Sequence, residues 1–237
     1  MHSYSYKNVE MAFNGLYEQI QEHGEKNEGT VRLTGVLVEI LDPLDYQFLI
    51  TPWRKFSENY VKLEWEWYMS KNKNPLMVEG VAPIWKKMKD ANGEVNSNYG
   101  YQVARNNQWA VTASSIADAV LTGKGTRKHV VSIFDGKEKH LYGNDCPCTV
   151  SFSFIIKGDT LDIHTHMRSN DLWYGFCNDI PAFGMFLNKM CTDVTSFLRA
   201  AGEVHKTMKV GRLIHFVDDM HLYDDFLNLR PEDNENE

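Results

Sequence analysis

Cys148, followed twenty residues later by the pair Arg168-Ser169, is the arrangement in this 237-residue chain whose types and spacing point to chemistry. A thiol attacks carbon only as its thiolate, so a working cysteine needs positive charge or hydrogen-bond donors close by. Arg168 offers a planar fork suited to phosphate, and Ser169 adds a hydroxyl. Together they read as a nucleophile beside an anion site; singly, they read as a buried strand cysteine and a surface arginine. The same stretch continues through Asn170-Asp171, Gly175 and Asn178-Asp179. A metal reading starts from Cys146-Pro147-Cys148 and His164-Thr165-His166, since residues two apart on a strand share a face and two Cys with two His can bind zinc. Structural zinc sites space their ligand pairs more widely, and both histidines suit the solvent face of an alternating strand, so no metal is expected.

These residues need elements to position them. Strands are predicted over 148–156 and 161–167, with Gly158-Asp159 as the turn between them. A helix of roughly twenty residues, about 180–200, follows Asn178-Asp179. Residues 8–22 have helical spacing with Gly24 as a stop, and 57–70 read as a helix capped by Ser57. Residues 109–123 form a third helix ending at Gly123, followed by a basic turn and the strand VVSIF. Further strands are predicted at 31–41, at 46–50 (YQFLI) and at 210–217, the last followed by a short segment carrying His221-Leu222-Tyr223. Residues 71–108 are polar, aromatic and loop-rich. The reading is an α+β fold with helices packed on a mostly continuous mixed sheet. One domain is expected over 1–229, and an acidic disordered tail over 230–237.

A net charge of −7 argues against direct nucleic-acid binding but leaves room for one nucleotide, whose phosphate needs only a local cluster such as Arg127-Lys128 with Arg168. A hydrophobic fraction of 43% supplies a sizeable core, and the six Trp include candidates to line a site for flat rings. No apolar run reaches a membrane span, and the first residues lack the apolar core of a signal peptide. The four cysteines show no disulfide spacing. A cytoplasmic protein, in a host cell if viral, is the expectation.

From about residue 60 to 225, and most strongly from 146 to 180, the chain resembles the thymidylate synthase superfamily, and within it the phage deoxycytidylate hydroxymethylases. The resemblance implies Cys148 as nucleophile and Glu64, in Glu64-Trp65-Glu66-Trp67, as general acid/base. It implies a phosphate site from Arg168 and Ser169, completed across a homodimer by Arg127 and Lys128 of the partner; a solvated basic turn is the other reading of that pair. Lys26 and Arg54 are candidates for a further phosphate contact. His221 and Tyr223 would hold the ribose hydroxyl, Tyr99 would lie near the nucleophile, and Asn170 and Asn178 would support the nucleotide. Asp171, Gly175, Trp85 and Tyr174 would form the folate side, with 5,10-methylenetetrahydrofolate as co-substrate and no metal. Lys128, Thr149 and Met167 depart from the synthase pattern, which has Arg, His and Gln there.

The resemblance makes Asp179 the residue that selects the base. Synthases carry Asn there, which accepts from uracil N3–H and donates to O4; cytosine inverts that pattern, and a protonated carboxyl can donate to N3 while accepting from N4. The implied reaction is addition of Cys148 to C6, one-carbon transfer to C5, and water addition to the exocyclic methylene, giving 5-hydroxymethyl-dCMP. The polar tail, unlike the apolar terminus that closes synthases, points the same way. Alternatives are a thymidylate synthase or dUMP hydroxymethylase, a dCMP C5-methylase, and a non-catalytic nucleotide-binding protein.

Overall fold

Eight strands form one mixed sheet in a computed structural model that describes residues 2–47 and 51–229. In chain order they are β1 (His2–Tyr6), β2 (Glu25–Asn27), β3 (Thr30–Ile40), β4 (Val130–Ser132), β5 (Thr149–Lys157), β6 (Thr160–Met167), β7 (Asn170–Asp171) and β8 (Lys209–Tyr223). Across the sheet the order is β1-β3-β8-β6-β5-β4, with β2 beside β3 and β7 beside β8. β1 lies parallel to β3, and β6 and β7 lie parallel to β8; the other pairs are antiparallel. The helices are α1 (Val9–His23), α2 (Glu58–Ser70), α3 (Ile84–Met88), α4 (Tyr99–Ala104), α5 (Gln108–Thr122), α6 (Glu138–Leu141) and α7 (Cys177–Ala200).

Alternation decides which face of the sheet is covered. Leu33, Val36, Val38 and Ile40 of β3, Leu213 and Val217 of β8, and Ile163 of β6 point to one side and are buried. Helices α1 and α7 pack on that side, over β3 and over β6–β8, and α2 and α5 pack against α7. The opposite face carries half-buried Leu37, Ile155, Ile214 and Phe216 among polar neighbours. Asn8 and Ser57 cap α1 and α2 by accepting from Met11 N and Tyr60 N. Gly123 ends α5 in the left-handed conformation that glycine adopts freely. Gly100 lets α4 cross α2 in close contact, since a Cβ there would stand 1.7 Å from the Tyr68 carbonyl oxygen.

The mixed α+β architecture agrees with the sequence reading, with specific departures. The stretch 71–108 holds two short helices, α3 and α4, and β1 was unforeseen because its Tyr and Ser carry no apolar periodicity. β8 runs on to Tyr223, so His221 and Tyr223 lie within the strand and not beyond it; pairing with β3 and β7 extends it. A π-helical turn, Leu172–Phe176, leads into α7 three residues earlier than the predicted start. Of the strand predicted at 46–50, Tyr46 and Gln47 are irregular and 48–50 lie outside the described residues, as does the 230–237 tail.

Candidate active site

The β5–β6 hairpin brings Cys148 and Arg168 together, because Thr149 pairs with Met167 at its open end. The backbone N–H of Arg168 donates to the Cys148 carbonyl at 2.9 Å. Its side chain folds over the same turn: Nε donates to Pro147 O at 3.2 Å, Nη2 donates to Cys146 O at 2.8 Å, and Nη2 stands 3.6 Å from Cys148 Sγ. The positive charge is therefore at the thiol, as the spacing suggested. Burial nevertheless outweighs it. The Cys148 thiol is pushed up to about 11, chiefly by burial and further by Asp179 and Asp145, with Arg168 opposing. At neutral pH the resting group is a thiol, not a thiolate.

Asp145 anchors the nucleophile turn. Its buried carboxylate accepts from Asn96 N at 2.6 Å, Ser97 N at 2.7 Å and Ser97 Oγ at 2.5 Å, while its carbonyl accepts from Asn96 Nδ2 at 2.8 Å. An Asp that follows Gly143-Asn144 reads as an ordinary turn residue and carries no sequence signal of this role. Asp145 was not singled out in the sequence for that reason.

Two carboxyls face the site in unusual states. Glu64, 5% exposed on α2, accepts from Tyr60 Oη at 2.6 Å, and Tyr60 Oη in turn accepts from Trp85 Nε1 at 3.0 Å. Burial raises Glu64 to about 7, with hydrogen bonds from Tyr60 and Tyr68 opposing. Asp179, in the first turn of α7, is pushed well above the usual carboxylate range by burial and then by the Glu64 charge. The helix N-terminus favours an ionised Asp179, but desolvation and a neighbouring acid prevail. Asn170 Nδ2 donates to Asp179 Oδ2 at 2.7 Å. Gly175 is what permits that contact: a Cβ would stand 3.0 Å from Asn170 Nδ2 and 3.2 Å from Asp179 Oδ2. Tyr99 is buried against Tyr68, its ring centroid 5.3 Å away, and burial first, then Asp179 and Cys148, raise its hydroxyl.

The remaining candidates divide. Ser169 Oγ lies 3.4 Å from His221 Nδ1, and the His221 and Tyr223 rings meet edge-on at 5.6 Å. Asn178 donates its amide N–H to Tyr174 O at 2.7 Å, and Asp171 Oδ1 accepts from Trp173 N and Tyr174 N, shaping the π turn. Trp53, Arg54, Lys55, Trp173, Tyr174, Phe226 and Leu229 line a cavity of about 500 Å³. Trp85 packs instead against Trp67 at the Tyr60–Glu64 end. Arg54 donates to Trp173 O and lies over its ring at 5.1 Å, and Lys26 pairs with Asp224 at 2.7 Å. Both are thus engaged away from Arg168. Arg127 and Lys128 are exposed in the turn between α5 and β4. His164 is exposed, and His166 binds Asp218 at 3.1 Å; among the described residues no group of three potential metal ligands converges.

His215 is the residue the sequence pattern should have revealed. It occupies an inward position of β8 between Leu213 and Val217, where every alternate side chain is buried, and a histidine there needs partners. It finds them in Thr165 and Asn170.

A thiol beside a guanidinium and two buried carboxyls of raised pKa form a set capable of chemistry; the comparisons with known proteins make the chain a one-carbon transferase that acts on a pyrimidine nucleotide. The chain belongs to the thymidylate synthase family, whose profile matches residues 11–233. That match begins well before residue 60, where the motif resemblance starts. Deoxycytidylate 5-hydroxymethyltransferases of Enterobacteria phages T4, T2 and T6 are each 27% identical to it over 173 residues, covering 70% of this chain and 68% of theirs. Among the described residues no helix is long and apolar enough to cross a membrane.

Proposed function

We propose that the protein hydroxymethylates C5 of dCMP, with 5,10-methylenetetrahydrofolate as one-carbon donor and water as the final reactant. Asp179 carries the reading. Burial, then the Glu64 charge, pushes its carboxyl well above the usual carboxylate range, and in the protonated form this favours it can donate to cytosine N3 and accept from N4. The phage relatives act on the same base by name, which supports it.

The residues divide the work. Cys148 adds to C6, so its proton must first leave a thiol that burial holds near 11; Glu64, ionising at about 7, can take up and return protons at working pH. As negative charge reaches N3, the Asp179 proton meets it. Arg168 and Ser169 bind the phosphate, while His221 and Tyr223 hold the sugar; Asn178 supports the loop beside them. The walls of the cavity suit a folate, with Trp53, Trp173, Tyr174 and Phe226 for flat rings and Lys55 for its carboxylates. When bound, the folate supplies the one-carbon unit at C5. The protein acts as a homodimer in which Arg127 and Lys128 complete the partner's phosphate site. The uncovered sheet face with Leu37, Ile155, Ile214 and Phe216 supports that pairing.

A neutral carboxyl whose proton sits on its other oxygen presents the acceptor-then-donor order that uracil needs, so dUMP is the alternative substrate. Incubation with methylenetetrahydrofolate and equal dCMP and dUMP, followed by mass spectrometry of the nucleotides, separates them. Hydroxymethyl-dCMP is expected. A methyl group on dCMP would refute water as final reactant, and product from dUMP alone would refute the reading of Asp179.

A further inference from the structure

We propose that Thr165, His215 and Asn170 form a relay that fixes which oxygen of Asp179 bears the proton, and thereby sets the choice between cytosine and uracil. The inference rests on Asp179 reading the base and adds the device that makes the reading one-sided.

The geometry is a chain of contacts through the core. Thr165 Oγ1 stands 2.7 Å from His215 Nδ1, His215 Nε2 stands 3.3 Å from Asn170 Oδ1, and Asn170 Nδ2 donates to Asp179 Oδ2 at 2.7 Å. His215 is fully buried, with Phe176 and Phe183 rings 6.0 and 5.8 Å away. Burial lowers its pKa to about 3, so the ring is neutral and has one donor nitrogen and one acceptor.

Such a chain has two self-consistent settings. In the first, the Thr165 hydroxyl donates to Nδ1, Nε2–H donates to Asn170 Oδ1, and the Asn170 amide N–H points at Asp179 Oδ2. That oxygen is then an acceptor, and the proton of the neutral carboxyl resides on Oδ1. In the second, Nδ1–H donates to Thr165, the Asn170 amide is turned over to donate to Nε2, and its oxygen requires a proton on Asp179 Oδ2. The two settings offer a base opposite orders of donor and acceptor. The Asn170 orientation is that of the first setting, and Gly175 leaves the space in which its amide nitrogen meets Oδ2. Reversal of any one member alone leaves donors facing donors or acceptors facing acceptors, so the members must turn together, which is why a fixed chain is selective. His215 and Thr165 touch no substrate; they are positioning residues.

The test has a spectroscopic and a kinetic arm. Long-range proton–nitrogen spectra of ¹⁵N-histidine-labelled native protein, with His215 assigned by its loss in His215→Gln, should show the Nε2–H tautomer; an Nδ1–H ring overturns the relay whatever the activity. Thr165→Val removes the hydroxyl donor at nearly constant shape, and should lower the dCMP/dUMP ratio of kcat/KM about ten-fold or more. Thr165→Ser should restore the ratio. An unchanged ratio in Thr165→Val overturns the relay but leaves Asp179 as base reader. A native enzyme that prefers dUMP removes that premise itself, a result visible before any variant is made.

Discussion

Replacing Asp145 by Asn removes one negative charge from the turn that carries the nucleophile. The carboxylate accepts three hydrogen bonds, two from backbone N–H groups and one from a hydroxyl, all between 2.5 and 2.7 Å. An amide can serve two of the donors with its oxygen but must meet the Ser97 hydroxyl with N–H, and every bond loses its ionic component. At about 1 kcal/mol for each weakened bond, the variant should lose about 2–3 kcal/mol. For a chain of this length that lowers Tm by roughly 5–10 °C. The same charge helps to hold the Cys148 thiol near 11, so its loss should draw that pKa down. Below the pKa, thiolate falls ten-fold per pH unit, and the alkylation profile should therefore move to lower pH. Calorimetry reads the first effect. Iodoacetamide labelling of Cys148, quantified by peptide mass spectrometry from about pH 7 to 11, reads the second. A loosened turn would instead raise the high-pH plateau and leave the bend in place. An unchanged Tm with an unmoved bend would refute both parts of the reasoning.

Other consequences are equally direct. Burial raises Glu64 from 4.5 to about 7, so the neutral form is the one the fold prefers; its contribution is whole below pH 4.5 and is lost as pH rises through 7. Glu64→Gln stays neutral, and urea titrations should find little gain at about pH 4 and a gain of about 3 kcal/mol at about pH 8; a pH-independent difference would contradict this. Asp179→Asn should lower kcat/KM for dCMP at least about 100-fold and raise it for dUMP, in competition assays. Gly175→Ala crowds Asn170 and Asp179 and should reduce dCMP turnover about ten-fold, while saturation with folate is little changed. Trp53→Ala should raise KM for the folate and leave nucleotide binding, measured calorimetrically without folate, as it was.

The long periodic elements were legible in the sequence. Val31 to Ile40 alternate in two runs that shift phase at Thr34-Gly35, the α7 stretch has a wide apolar face, and Gly123 and Ser57 mark ends with their own backbone chemistry. Residues 71–108 were not, because α3 and α4 are too short to show a period and are held by tertiary contacts such as the Gly100–Tyr68 approach. At the site, the residue types of Cys148, Arg168 and Asp179 were readable, but their states were not. Arg168 suggests a lowered thiol pKa, and only the surrounding burial and the carboxylates of Asp179 and Asp145 reverse the sign. The alternation of β8 marks His215 as inward, but its partners and those of Asp145 are dozens of residues away, a relation that spacing along the chain does not encode.

β8 runs fifteen residues without interruption and is locked to β3 by ten residue pairs and to β7 at Met220 and His221. It works as a ruler. His215 marks one graduation, behind Asn170, and His221 another, beside Ser169, so the interval between the two stations is set by backbone register and not by side chains. Sliding the strand by two residues would displace both stations at once and, because the buried positions shift phase between Val217 and Met220, would also turn Asp218 or Asp219 inward. Under the proposed function, side-chain substitution retunes base choice on a fixed scale, whereas the length of nucleotide the site measures changes only if the sheet itself is rebuilt.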